Sequence, residues 1–181
     1  MKIMRVAALG AMVALNVPAD PTVTVCLQGL SAVTGPVLQQ AQVIANEMFA
    51  PAGVNIDWHR GGLSRSHSQG GRLIVVDLAT DTPKQLRPGA LAFALPYEGT
   101  HITVFYDRVR QTVDSKMVPA VLAHVLVHEI THILEGCDWH TSAGIMKASW
   151  TRADYKEITR RPLPFTEEDL QLIRFGLAKA H

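Results

Sequence analysis

The residues best suited to chemistry lie in the sequence HEITHILEGCDWH, at positions 128–140. It begins with two histidines four residues apart, His128 and His132, and Glu129 directly follows the first. On a helix, residues four apart share one face and lie about 6 Å apart along the axis, so both imidazoles can bind one ion. A zinc ion lowers the pKa of a bound water, and a neighbouring carboxylate can accept the proton. The pattern therefore predicts a zinc site for hydrolysis, with Glu129 as the base.

The helix that carries this motif is predicted to run from Pro119 to Leu134. Proline is tolerated in the first turn of a helix, and the stretch is apolar on nearly all sides. Such a helix should be buried in the middle of the domain. His124 lies one turn before His128, but three histidines spanning about 12 Å of helix cannot all reach one zinc ion. We therefore interpret His124 as a core residue.

A catalytic zinc ion needs a third protein ligand and one open position. Gly136 is placed to end the helix in a left-handed turn and to send the chain back across the metal. His140 follows four residues later, and Met146 lies six residues beyond His140. His140 is therefore a candidate for the third ligand.

Together these features resemble the metzincin metallopeptidases, which hydrolyse peptide bonds with zinc. The motif-level resemblance is confined to residues 128–146: HExxH, a helix-ending glycine, a third histidine and a following methionine. It implies that Glu129 activates a zinc-bound water as general base and that Met146 forms a hydrophobic floor beneath the metal. The zinc ligands that the resemblance implies are His128, His132 and His140.

The spacing departs from the family pattern. The family has two residues between the second histidine and the glycine and two more before the third ligand, whereas this chain has three and three. Asp138 therefore stands at the family's third-ligand position and is an alternative ligand. We favour His140, because Gly136 and Met146 are displaced along with it and because imidazole suits zinc. A gluzincin-like site with Glu157 as ligand would explain neither the glycine nor the methionine.

The remaining sequence predicts an α+β fold with one zincin-like domain. Alternating or continuous apolar patterns predict five strands, at residues 22–30, 54–59, 72–79, 89–96 and 101–109. Helices are predicted at residues 36–49 and 119–134 and after the N-cap residue Thr166. We expect a twisted mixed sheet with an edge strand over the cleft, a buried active-site helix and a C-terminal helix. The strand at 72–79 should be central and buried on both faces.

The segment 89–96, GALAFALP, has the features of an edge strand, since it begins at Gly89 and stops at Pro96. The resemblance implies that this strand receives an extended peptide as an added strand, so the expected partner is a peptide or protein substrate. The predicted substrate-binding residues are Ala90, Leu91, Ala92, Phe93 and Ala94.

The composition favours a single folded domain. The chain has 181 residues, 48% of them apolar, and a formal net charge of +1. This length suits one domain with a sizeable core. No dense run of Lys or Arg is present, so neither nucleic acid nor an anionic membrane surface is expected as a partner. We expect a monomer.

The first nineteen residues have the layout of a secretory signal peptide. Lys2 and Arg5 give a positive start, and the apolar run at 6–15 is too short to span a membrane. We therefore expect a secreted or periplasmic protein with no membrane span after cleavage. The predicted organisation is a signal peptide at 1–19 and a catalytic domain at 20–181.

Two alternatives remain open from the sequence. An oxidising compartment would permit a disulfide between Cys26 and Cys137, although small apolar cysteines are also common in protein cores. The alternative to a peptidase is a secreted zinc-binding interaction module on a degenerate peptidase fold. Glu129 favours the enzyme, because a binding module has no need of that carboxylate.

Overall fold

The computed structural model describes residues 21–61, 72–97 and 100–179, so the predicted signal peptide at 1–19 lies outside the described residues. The strands are β1 (Thr22–Gln28), β2 (Asn55–Arg60), β3 (Arg72–Ala79), β4 (Ala92–Ala94) and β5 (His101–Phe105). The helices are α1 (Gly35–Phe49), α2 (Tyr106–Thr112), α3 (Val118–Glu135), α4 (Arg152–Ile158) and α5 (Glu167–Ala178). This order confirms the predicted α+β class.

The strands form one mixed sheet in the order β2-β1-β3-β5-β4. β2, β1, β3 and β5 run parallel to one another, whereas β4 pairs antiparallel with β5. The register places Phe93 opposite Thr103. β4 is therefore the edge strand that the sequence predicted, although it is shorter than the predicted segment 89–96.

β3 is central, as predicted, but the expectation that both of its faces are buried is wrong. Its buried residues alternate along the strand, and Asp77 between Val76 and Leu78 is exposed. The helices cover the face that carries Val76 and Leu78. On that same face, Arg72 donates a hydrogen bond to the carbonyl oxygen of Ile133 in α3, at 2.6 Å.

The fifth strand ends earlier than predicted, at Phe105, and α2 begins at Tyr106. The change to a helix has two causes: a spacing in the sequence that the strand interpretation overlooked, and a contact with a distant segment. Tyr106 and Val109 are three residues apart and both buried, which is helical spacing. Asp107, in the first turn, accepts hydrogen bonds from the backbone N–H and the hydroxyl of Thr82, at 3.0 and 2.7 Å.

α3 is the buried central helix that its composition predicted, and all residues from Val121 to Val127 are buried. Within the described ranges, one helical segment, Ser115–Glu135, is long and apolar enough to cross a bilayer. In this fold 83% of its most apolar stretch is buried inside the domain. Its hydropathy is thus that of a core helix.

His124 is a core residue, as predicted, and it ties α3 to the segment before α5. Its Nδ1 lies 2.7 Å from the Ala120 carbonyl oxygen and therefore donates, while its Nε2 accepts from the Leu163 backbone N–H at 3.0 Å. Burial lowers the pKa of His124 to about 4, so the ring is neutral near pH 7. The neutral ring satisfies two backbone groups at once.

α5 begins with the predicted cap at Thr166. The Thr166 hydroxyl accepts from the Asp169 backbone N–H at 3.2 Å, and the Asp169 carboxylate accepts from the Thr166 backbone N–H at 2.7 Å. Gly176 then lets α5 approach the end of α3, because a Cβ there would collide with the Leu134 carbonyl oxygen. The C-terminal end of α3, from which the loop with His140 starts, is therefore packed against α5.

The disulfide that the sequence left open is not formed. Cys26 is a free thiol that is fully buried within β1, and Cys137 is a free thiol on the loop after α3. Cys26 behaves as a small apolar core residue.

Candidate metal centre

Three histidine side chains meet at the C-terminal half of α3. His128 and His132 lie one turn apart on the helix, and His140 lies on the loop that follows it. One ring nitrogen of each lies within 4.8 Å of the other two. Within residues 21–61, 72–97 and 100–179, this is the group of histidine, cysteine and carboxylate side chains close enough together to hold a metal ion.

Backbone carbonyls orient the two helical histidines. His128 Nδ1 lies 3.0 Å from the Ile145 carbonyl oxygen, and His132 Nδ1 lies 3.1 Å from the Cys137 carbonyl oxygen. Because a carbonyl only accepts, each Nδ1 must carry the hydrogen and donate it. Each Nε2 is then unprotonated, which is the form of imidazole that binds metals.

The Nε2 atoms of His128 and His132 lie 3.1 Å apart. Burial lowers the pKa of His128 to about 4 and that of His132 to about 3, so no proton lies between the two rings near pH 7. Two lone pairs at this distance repel each other unless a cation separates them. Two nitrogens bound tetrahedrally to zinc, at about 2.05 Å each, would be about 3.3 Å apart. The pair therefore fits a zinc ion.

A glycine ends α3 and turns the chain back toward these histidines. Gly136 has a φ of 69°, and its N–H donates to the His132 carbonyl oxygen at 2.9 Å, as its position predicted. The next loop is closed by a hydrogen bond from the Thr141 N–H to the Met146 carbonyl oxygen, at 3.1 Å. Met146 is 1% exposed and packs in the hydrophobic core. Its side chain thus anchors the loop that carries His140.

The alternative third ligands have other partners. One carboxylate oxygen of Asp138 accepts from the Tyr97 hydroxyl at 3.1 Å. Asp138 lines the same cavity as the histidines but is not one of the three converging ligand groups. Glu157 forms an ion pair with Arg161 and does not line that cavity.

Glu129 lies next to His128 and is buried, with 8% of its surface exposed. Burial raises the pKa of its carboxyl to about 8, while the positive charge of Arg87 and the backbone N–H of Ala94 oppose the rise. Burial by itself therefore favours the protonated form of the carboxyl group. A metal ion beside it would favour the carboxylate, since opposite charge stabilises the ionised form.

A cavity of about 610 Å³ joins the histidines, Glu129 and the edge strand. Its lining includes all the predicted substrate-binding residues: Ala90, Leu91, Ala92, Phe93 and Ala94. A cavity of this size holds part of a peptide. The structure therefore brings the predicted peptide-binding segment and the candidate metal ligands to one cleft.

The backbone of β4 presents a free edge to this cleft. Phe105 N–H donates to the Leu91 carbonyl oxygen at 2.8 Å, and Phe93 lies opposite Thr103. Hydrogen-bonded pairs alternate with non-bonded pairs in an antiparallel ladder, so Leu91 and Phe93 bond to β5. The polar groups of Ala92 and Ala94 consequently point away from β5.

The segment after the methionine loop completes the cavity with Lys147, Trp150 and Tyr155. The Trp150 indole N–H donates to the Ile145 carbonyl oxygen at 3.2 Å, and this carbonyl also accepts from His128. The Trp150 and His128 rings pack edge to face, with centroids 5.9 Å apart. Lys147 forms an ion pair with Asp154 at 2.6 Å. Trp150 therefore supports a candidate metal ligand as well as the core.

Several contacts of the site have no signal in the sequence. The carbonyls of Ile145 and Cys137 belong to the backbone, so no residue type reveals their role. Tyr97 and Asp138 are 41 residues apart in the sequence, and no pattern in either segment predicts their contact. Arg87 lies two residues before the predicted edge strand at 89–96. This position in the sequence is the one signal that could have indicated a role for Arg87 in the cleft.

Comparisons with known proteins support the fold. No protein-family model and no curated protein sequence matches this chain. Its structure resembles the crystal structure of archaemetzincin from Methanopyrus kandleri, with a TM-score of 0.60 and 15% identity, over 91% of this chain and 99% of that one. Myroilysin also matches, with a TM-score of 0.39 and 17% identity, over 85% of this chain and 66% of that one. The chain thus has the α+β fold of the archaemetzincin structure.

Proposed function

We propose that this chain is a zinc metallopeptidase that hydrolyses peptide bonds, with Glu129 as its general base. The observation that carries the proposal is the group of His128, His132 and His140, whose ligand nitrogens converge beside a buried glutamate. The archaemetzincin-like fold and the HExxH pattern support the same chemistry.

The three histidines would hold the zinc through one nitrogen each, leaving a position open for water or substrate. When bound, zinc would supply Lewis acidity, polarising the scissile carbonyl and making water a better nucleophile near neutral pH. His128 and His132 contribute by keeping their Nε2 atoms unprotonated through the carbonyl contacts at Nδ1. In this tautomer both rings offer the nitrogen that a zinc ion binds.

Glu129 handles the protons in this proposal. Its carboxylate takes a proton from the attacking water and later gives one to the leaving amine. Burial raises the pKa of the Glu129 carboxyl to about 8, near the neutral range that suits a group that both accepts and donates a proton. The Glu129 carboxyl group lines the same cleft as Ala94 of the edge strand, where the scissile bond of an added peptide would lie.

The substrate would be a peptide or protein segment bound in extended form. Ala92 presents backbone groups that an added strand requires. We also propose that the protein is exported after removal of residues 1–19, on the basis of their signal-like pattern. N-terminal sequencing of the exported protein should then begin at residue 20.

Zinc analysis and peptide cleavage test the function together. We expect one zinc per chain and cleavage of members of a peptide library, abolished by a chelator and restored by zinc. Stoichiometric zinc without cleavage of any peptide would favour the interaction module instead. Absence of zinc binding would contradict both functions.

A further inference from the structure

One arginine holds the loop in front of the edge strand. The Arg108 guanidinium donates to the backbone carbonyl oxygens of four residues in this loop, Pro83, Leu86, Arg87 and Ala90. Three of these distances are 3.0, 2.8 and 2.9 Å, for Pro83, Arg87 and Ala90. The same guanidinium lies 4.5 Å from the centre of the Phe105 ring. The loop is thus fixed to β5 and α2 by a single side chain.

The backbone of Arg87 is held in an unusual conformation. Its φ is +42°, and it is the only residue other than glycine with a positive φ in the described part of the chain. Side chains with a Cβ enter this region at an energetic cost, and such residues cluster at functional sites. The Arg108 contacts maintain this conformation at the entrance to the cleft.

The Arg87 side chain lies at the rim of the cleft that contains the three histidines and Glu129. Its guanidinium carbon lies 4.4 Å from the centre of the Phe93 ring, in the edge strand. Stacking uses the face of the guanidinium and leaves the N–H groups at its edges available. Arg87 is exposed and makes no ion pair with any carboxylate in the described ranges.

The other charged side chains that line the cavity have partners within the protein or a role in the proposed reaction. Lys147 is paired with Asp154, and Asp138 accepts from Tyr97. Glu129 is reserved for proton transfer in the proposed function. Arg87 therefore provides the cationic hydrogen-bond donors that remain for a ligand among the described residues of the lining.

We propose that Arg87 binds a carboxylate of the peptide substrate, so that the cleft selects peptides that place a carboxylate next to Arg87. The planar guanidinium fork matches a carboxylate with two parallel hydrogen bonds. The carboxylate is either an Asp or Glu side chain near the scissile bond or the C-terminus of the peptide. The proposal rests on the proposed peptidase function and names the substrate class of that same cleft.

Peptide binding to the zinc-loaded Glu129→Gln variant tests this proposal without requiring turnover. Fluorescent peptides are compared in matched pairs, with Glu or Gln at each position in turn and with a free or amidated C-terminus. In one of these pairs, we expect the peptide that has the carboxylate to bind about tenfold more tightly than its uncharged counterpart. This ratio is typical of a charge-assisted hydrogen-bonded contact. Arg87→Met should abolish the difference, and Arg87→Lys should restore part of it.

Lys84→Met is the matched control, because Lys84 is an exposed cation on the same loop that does not line the cavity. It should leave the preference unchanged, whereas a general charge effect would lower it as much as Arg87→Met does. A preference at a Glu position identifies a side chain as the carboxylate, and a preference for the free C-terminus identifies the terminus. Lack of any preference, or a preference that survives in Arg87→Met, would overturn the proposal.

The two proposals can fail separately. Cleavage of neutral and acidic peptides at equal rates, with equal affinities, would leave the peptidase function standing and remove the role of Arg87. Binding of acidic peptides that depends on Arg87, without cleavage by the wild-type protein, would do the reverse.

Discussion

The Nε2 atoms of His128 and His132 face each other at 3.1 Å, and each ring is held through Nδ1 by a backbone carbonyl from beyond the helix. Helical spacing alone brings the two rings to one face. Their rotation and tautomer depend on the chain after Gly136, which returns past the helix end. The arrangement of this candidate metal-binding pair therefore depends on the loop as much as on the HExxH helix.

This arrangement predicts that substitutions of the two candidate third ligands, His140 and Asp138, affect zinc affinity differently. His140→Ala should weaken zinc binding at least about 100-fold, because it removes one of three converging ligands. Asp138→Ala should weaken it less than about tenfold, since that carboxylate accepts from the Tyr97 hydroxyl instead. Competition with a chromophoric chelator measures both affinities. A larger loss for Asp138→Ala would make Asp138 the ligand.

His124 should contribute to stability. His124→Ala should lower the free energy of unfolding by about 2–4 kcal/mol, because it leaves a cavity and an unpaired Leu163 N–H in the core. Urea denaturation measures the change, and His59→Ala is the control, since His59 lies on the edge strand β2 and its bond to Asp57 is exposed. Equal losses for the two variants would contradict the structural role of His124.

The depressed pKa of His124 also predicts how stability depends on pH. The group titrates at about 4 in the folded chain and near 6.5 when unfolded, so the unfolded chain binds its proton first as the pH falls. This pKa difference contributes fully to the free energy of unfolding above pH 6.5, and the contribution is lost as the pH falls from 6.5 to 4. His124→Gln, in the same metal state, should therefore show a shallower decline in this interval. Parallel curves would mean that His124 titrates alike in both states.

The free edge of β4 makes a residue-specific prediction. An extended peptide bound to the zinc-loaded Glu129→Gln variant should slow amide hydrogen exchange at Ala92, whose N–H points into the cleft. The amide of Phe93 should change little, because it already bonds to β5. NMR-detected exchange resolves the two. Protection at Phe93 but not at Ala92 would place the peptide elsewhere.

Close packing between α5 and α3 can be tested with a pair of glycines. Gly176→Ala should destabilise the chain by about 3 kcal/mol, because the added Cβ meets the Leu134 carbonyl oxygen. Gly35→Ala, at the start of α1, adds a Cβ with no atom within 4 Å and should have a small effect. Thermal melting of both variants compares them. Equal stability would show that α5 can shift away from α3.

The sequence predicted the parts of the site that follow from local periodicity. Residues four apart on a helix, and a glycine that ends the helix, have consequences that neighbouring residues alone decide. The α+β class, the edge position of β4 and the Thr166 cap were recognisable for the same reason. The roles of Met146 and of the cleft residues came instead from resemblance, which also supported His140 as the third ligand.

Features that depend on distant segments were not predictable. The end of β5 depends on Asp107 meeting Thr82, and the one-sided burial of β3 depends on which face the helices cover. The role of Arg87 depends on four carbonyl contacts made by Arg108, more than twenty positions away from the first of them. Single-sequence patterns contain none of these pairings.

The most direct test of the account compares the turnover of wild type and Glu129→Gln at equal zinc content. The account predicts one zinc per chain in both, with cleavage slowed about 100-fold or more in the variant, because the ligands remain and the general base is lost. Glu157→Gln, which alters a glutamate outside the cavity lining, should cleave like wild type. Wild-type turnover by the zinc-loaded Glu129→Gln variant would contradict the proposed mechanism.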